Sequence, residues 1–193
     1  MPRPDSPPAE ILCIVDRSGS MDAIRGDAVG GFNAFVRAQR ELPGDARLTL
    51  VLFDDTAETV HARVPLADVP ELTDATYRPS GRTALHDALG SALHRLRAEL
   101  AGGGEAPRVV VAVLTDGEEN ASREFSARQA ADAVSACRAD GWEFVFLAAN
   151  QDATLAAQRV GIPHHDAMPF VAEPGAAGQA FVAMSRAVAD RRA

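Results

Sequence analysis

The stretch Ile11-Leu12-Cys13-Ile14-Val15-Asp16-Arg17-Ser18-Gly19-Ser20 decides the reading of the chain. Its first five residues are apolar without alternation, the pattern of a short strand buried on both faces of a parallel sheet. The residue after such a strand stands at the sheet's carboxyl edge, where open α/β sheets hold ligands. That residue is Asp16. Ser18 and Ser20 follow at alternate positions, and Gly19 between them allows a tight bend. Three side-chain oxygens can thus turn toward one point. Hard cations, Mg²⁺ above all, take oxygen ligands at about 2.0–2.1 Å in octahedral geometry. One loop does not complete such a site, so further oxygens are expected elsewhere in the chain.

Outward from this stretch, apolar strands alternate with helical patterns. A helix is expected over 23–41 with Phe32, Phe35 and Val36 on one face, although Gly30 and Gly31 lie inside it and each costs about 1 kcal/mol relative to Ala. A second apolar strand runs from Leu48 to Phe53. The turn Asp54-Asp55-Thr56 leads into 59–64, whose alternation puts Val60, Ala62 and Val64 on one face of an antiparallel edge strand. Residues 65–82 hold three prolines and read as loop with a short helix near 66–72. From Thr83, Leu85, Leu89, Leu93, Leu96 and Leu100 form a helical stripe. Gly102-Gly103-Gly104 reads as a flexible link. Val109–Leu114 is the clearest buried strand, and it too runs into an acid, Asp116. A helix over 127–139, a strand over 142–148, a short helix over 154–159, a weak strand near 164–168 and a last helix over 178–192 follow. The expected fold class is α/β: a doubly wound, mostly parallel six-stranded sheet with one antiparallel edge strand and helices on both faces. Residues 1–9 read as a flexible lead-in and residues 10–192 as one domain.

The chain of 193 residues is 47% apolar, enough to build a core, and carries 19 Lys+Arg against 27 Asp+Glu, a net charge of −8. That balance argues against a general binder of nucleic acid or of anionic membranes. Cys13 and Cys137 are too few for a disulfide scaffold and read as buried thiols. The four prolines within residues 1–10 are no secretory signal, and no apolar run approaches a membrane span. A cytoplasmic location is therefore expected.

If the strands ending in Asp16 and Asp116 are neighbours, two carboxylates share one sheet edge. Thr83, in Ser80-Gly81-Arg82-Thr83, stands at a loop–helix junction that can reach the same edge. The candidate set is Asp16, Ser18, Ser20, Thr83 and Asp116. Each residue has a plainer role open to it, the hydroxyls as helix caps and the acids as turn residues. Together they resemble the von Willebrand factor type A (VWA) domain and its metal-ion-dependent adhesion site, whose motif is Asp-x-Ser-x-Ser, a later Thr and a still later Asp. All five positions match in order.

The resemblance implies that Ser18, Ser20 and Thr83 bind Mg²⁺ directly or nearly so, with Mn²⁺ or Ca²⁺ as substitutes. Asp16 and Asp116 then act largely through bound waters. A metal with few charged protein ligands seeks an acidic oxygen from outside, a Glu or Asp of a partner protein. Bacterial intracellular domains of this type work beside ATPases or in stress-response assemblies, which is the expected setting, with no nucleic acid and no membrane involved. The competing function is an Mg²⁺-dependent phosphotransferase or hydrolase on a similar sheet, with Asp16 as nucleophile. Haloacid-dehalogenase-like enzymes show Asp-x-Asp at this point, and here Ser18 replaces the second acid; no phosphate-binding Gly-x-x-x-x-Gly-Lys loop is present either. A third reading keeps the metal for stability alone. Arg17 and Arg82 flank the presumed ligands, as steering charges for an anionic partner or as solvated loop residues. Glu118 and Glu119 read as solvated. Family resemblance also suggests that the last helix moves on binding, held by few contacts.

Overall fold

The computed structural model describes residues 8–102, 105–149, 153–175 and 177–192. Six strands form one sheet in the order β3-β2-β1-β4-β5-β6. They are β1 (Ala9–Asp16), β2 (Ala46–Phe53), β3 (Ala57–Pro65), β4 (Val109–Thr115), β5 (Glu143–Ala149) and β6 (Ala167–Phe170). All neighbours pair in parallel except β2 and β3, which form the antiparallel edge. The central strands β1 and β4 are buried at every residue, as strands covered on both faces must be.

Five helices cover the sheet: α1 (Arg25–Arg40), α2 (Leu85–Leu100), α3 (Ala127–Ala139), α4 (Ala153–Arg159) and α5 (Ala177–Arg192). One core lies beneath α1 and α5, built on Phe32, Phe35, Phe181, Met184 and alternate strand residues such as Ile11, Cys13 and Val15. The other lies beneath α2, α3 and α4, with Leu89, Leu93, Val134 and the opposite strand residues Leu12 and Ile14. Both cysteines are free and buried, and burial pushes the Cys13 thiol up to about 12. Among the described residues no helix is long and apolar enough to cross a membrane.

Several sequence expectations need correction. The first helical pattern divides into a 3-10 turn, Gly19–Ile24, and α1. Two register shifts break the alternation of β3. Arg63 takes a left-handed φ of 50° there, while its guanidinium binds the buried Glu10 carboxylate at 2.6 Å. Val60 and Val64 accordingly pack on the α1/α5 core, while Ala62 faces Ala92 and Leu96 of α2. The strand after α4 begins later than expected, because His164–Asp166 form a 3-10 turn. The lead-in to residue 7 and Gly103-Gly104 of the link lie outside the described residues; Ala9 already belongs to β1.

Helix α5 is not loosely held. It buries Ala177, Ala180, Phe181, Met184 and Val188. Gln39 of α1 donates to the Ser185 carbonyl at 3.0 Å, and Arg191 to Asp166 at 2.8 Å.

Candidate metal centre

Val15 of β1 pairs with Leu114 of β4, so Asp16 and Asp116 leave adjacent parallel strands at one edge. The strand order reverses between β1 and β4, because β2 lies on one side and β5 on the other. The loops diverge at such a switch point and leave a crevice. Beyond β1, Asp16 Oδ1 accepts the Ser18 N–H at 2.6 Å, which folds the loop back on its own strand. The Gly19 N–H then donates to the Gly81 carbonyl at 3.1 Å, and the Ser80 N–H to the Arg17 carbonyl at 2.9 Å. These two bonds lay the segment before α2 along the first loop. Gly81 makes the approach with φ +69°, and a Cβ there would strike the Asp55 carboxylate.

All five candidate residues meet. Ser18 Oγ lies 3.1 Å from Ser20 Oγ, and Ser20 Oγ donates to Asp116 Oδ1 at 2.7 Å. A Cβ placed on Gly117 would lie 3.0 Å from Thr83 Oγ1, 3.7 Å from Ser20 Oγ and 3.9 Å from Asp16 Oδ2. Three oxygens from two segments therefore surround one point that the glycine of a third segment leaves open. Asp16, Ser18 and Thr83 form a buried floor, while Ser20 is exposed and Asp116 half-buried, so the crevice opens to solvent.

The electrostatics suit a cation. Burial pushes the Asp16 carboxyl up to about 6, against the lowering effect of its hydrogen bonds from Thr115 and Ser18; the nearby Asp116 adds to the rise. Burial likewise raises Asp116. Among the described residues neither acid has a cationic partner within salt-bridge distance. The two nearby arginines are committed elsewhere. Arg17 binds Asp54 at 3.0 Å and Glu58 at 2.7 Å, and Arg82 binds Asp55 at 2.9 Å. They brace the two loops against the β2–β3 turn, which leaves little free charge for steering an anion. Two uncompensated carboxylates beside three hydroxyls are a donor set for a hard divalent ion. Among the described residues there is no group of three or more His, Cys, Asp or Glu side chains placed to hold a metal.

Supporting residues carried no signal that sequence reading used. Thr115 donates to Asp16 Oδ2 at 2.6 Å. Tyr77, fully buried, donates its hydroxyl to the Asp16 carbonyl. Glu119 is not simply solvated: it accepts from the N–H groups of His86, Ala121 and Ser122 at 2.8–3.0 Å. Asn120 accepts the Thr83 N–H and returns its own N–H to the Thr83 carbonyl, both at 3.0 Å. The loop after β4 thereby satisfies the open N–H groups at the start of α2 and ties Thr83 to Asp116. Asx and capping residues could have been noted in Asp116-Gly117-Glu118-Glu119-Asn120, but their target lies more than thirty residues away.

The sheet order, the antiparallel edge and the crevice at β1/β4 define a VWA-type α/β domain. The family profile described as VWA domain containing CoxE-like protein matches residues 1–168, and the chain belongs to that family. Among solved structures, proximal thread matrix protein 1 of the mussel byssus with a zinc-occupied MIDAS motif is similar at TM-score 0.66 and 14% identity, over 96% of this chain and 48% of that one. The von Willebrand factor type A protein from Catenulispora acidiphila matches at 0.60 and 16%, over 96% and 43%. Manganese-loaded TRAP protein of Plasmodium vivax matches at 0.52 and 16%, over 82% and 60%. The chain thus spans about half the length of the first structures it matches. No curated protein matches the sequence.

Proposed function

We propose that the chain is a metal-dependent protein-interaction module. Asp16, Ser18, Ser20, Thr83 and Asp116 hold a divalent cation, Mg²⁺ in the cell and Mn²⁺ or Ca²⁺ as substitutes, and the cation's outward position takes a Glu or Asp carboxylate of a partner protein. The observation that carries this reading is the convergence of Thr83 Oγ1, Ser20 Oγ and Asp16 Oδ2 on the open point above Gly117. The metals named for the mussel and Plasmodium structures support a divalent ion at a fold of this kind. When bound, the cation supplies a Lewis-acidic site for an anionic oxygen.

The residues of the chain do the rest. Thr115 and the Ser18 N–H orient Asp16, and Ser20 bridges Ser18 to Asp116. A buried Asp16 with both oxygens hydrogen-bonded is badly placed to attack a substrate, which favours interaction over phosphotransfer. VWA domains are in general interaction modules, and this too supports a non-enzymatic role. The setting we propose, a bacterial cytoplasmic assembly with an ATPase or a stress-response partner, rests on the family resemblance.

Calorimetric titration of the metal-free chain with Mg²⁺, Mn²⁺ and Ca²⁺ tests the centre. We expect one site, lost in Thr83→Ala and Asp116→Ala, and partner capture from native lysate that chelator abolishes. Equal uptake by the wild type and both variants would falsify the assignment.

A further inference from the structure

We propose that the hollow beside the metal centre receives an aliphatic side chain of the partner, two residues from its acidic one. The recognised segment is then an extended acid-x-aliphatic or aliphatic-x-acid stretch. This rests on the metal-dependent reading above and adds its specificity. Asp116 and Gly117 form the near wall of a cavity of about 200 Å³, so it is continuous with the centre. Leu85, Ala148, Ala149 and Ala156 form its apolar surfaces, and Leu155 and Arg159 its far side. Leu155 is 49% exposed, one of three large apolar residues so exposed on the described surface.

The cavity exists because the residues at its base are small. Thr115 pairs with Ala148, so Ala149 lies beside Asp116, one strand spacing of about 4.8 Å away. Longer side chains at Ala149 and Ala156 would fill the space between β5 and α4. In an extended peptide, side chains at i and i+2 point the same way, about 6.6 Å apart. In a segment that runs from the centre toward β5, a carboxylate directed at the centre puts the side chain two residues away over this cavity. A neighbour at i+1 would point into solvent.

Charge narrows the occupant further. Asp116 and the exposed Glu118 line the near side, so a second acid is unwelcome there. Glu119 already accepts from the His86 N–H of α2 and from the Ser122 hydroxyl of its own loop. Arg159 has no carboxylate partner among the described residues and stands on the far side, so charges of both signs rim the cavity while its base is apolar. An uncharged aliphatic group gains from the Leu85, Leu155 and alanine surfaces and meets no repulsion from either sign.

The test uses the full chain and two synthetic peptides differing only two residues from a single Glu, Glu-x-Leu against Glu-x-Ser, in Mg²⁺ and in chelator. Mg²⁺ uptake without peptide is titrated alongside. We expect the leucine peptide to bind about ten-fold tighter, only with Mg²⁺. The preference should shrink to two-fold or less in Leu155→Asp, an exposed position, and in Ala156→Met, which fills the cavity, while Mg²⁺ uptake is unchanged. Equal binding of the two peptides with normal Mg²⁺ uptake overturns the cavity assignment and leaves the metal centre standing. Absent Mg²⁺ uptake, or leucine-peptide binding that persists in chelator, overturns both.

Discussion

Asp16 combines three things that rarely coexist without compensation: a carboxylate, complete burial, and a second acid nearby. Its raised carboxyl carries a sign that can be checked. A group whose folded value lies above its unfolded one stabilises the fold below the unfolded value, near 3.8, and loses that contribution as pH rises through about 6. The metal-free protein should therefore lose stability relative to Asp16→Asn between pH 4 and pH 6.5, by on the order of 3 kcal/mol. The asparagine keeps the shape and can still accept the Ser18 N–H. Thermal melts of both proteins in chelator across that range would show it, and parallel curves would refute it. Because a cation displaces the proton, Mg²⁺ affinity should rise over the same interval. Asp16 and its loop were legible in the sequence, since an apolar strand ending in a short oxygen-rich loop is a local pattern. Thr115 and Tyr77, which hold it, were not, since their target is reached only across the sheet or through a 61-residue separation.

At the scale of elements, adjacent glycines in α1 divide by what faces them. Sequence reading charged both with the same helical penalty and left the compensation open. Only Gly31 has one: a Cβ there would overlap the Phe181 ring of α5, whereas Gly30 has nothing within 4 Å. Gly30→Ala should therefore stabilise the fold by up to about 1 kcal/mol through helix propensity. Gly31→Ala should destabilise it by about 1–3 kcal/mol by forcing the two helices apart. Urea unfolding of the pair decides, and shifts of the same sign would contradict the packing account. The same logic explains β3. Its alternating letters describe a regular strand, yet two bulges turn Ala62 to the face opposite Val60 and Val64, because register is chosen by pairing with β2 and by the Arg63–Glu10 contact.

For the whole molecule, the candidate metal centre joins loops that follow β1, precede α2 and follow β4, so a cation held there would cross-link the two halves of the sheet at its switch point. A ligand that binds only the folded state at 100 times its dissociation constant adds about 2.7 kcal/mol. For a domain of this size that corresponds to a rise in Tm of about 5–10 °C. Mg²⁺ in that excess should produce it in the wild type and not in Thr83→Ala, by scanning calorimetry; an equal rise in both would place the ion elsewhere. The family profile ends at residue 168, before α5. Phe181, Met184 and Val188 of that helix nevertheless complete one of the two cores.

The sequence by itself determined the elements, their mostly parallel arrangement and the candidate oxygens, because hydrophobic period and turn chemistry act over a few residues. Tertiary structure alone decided which of those oxygens meet, that Arg17 and Arg82 spend their charge on the β2–β3 turn, and that a cavity opens where β5 ends in alanines. Each of these depends on distances between segments far apart in the chain, which no local pattern encodes.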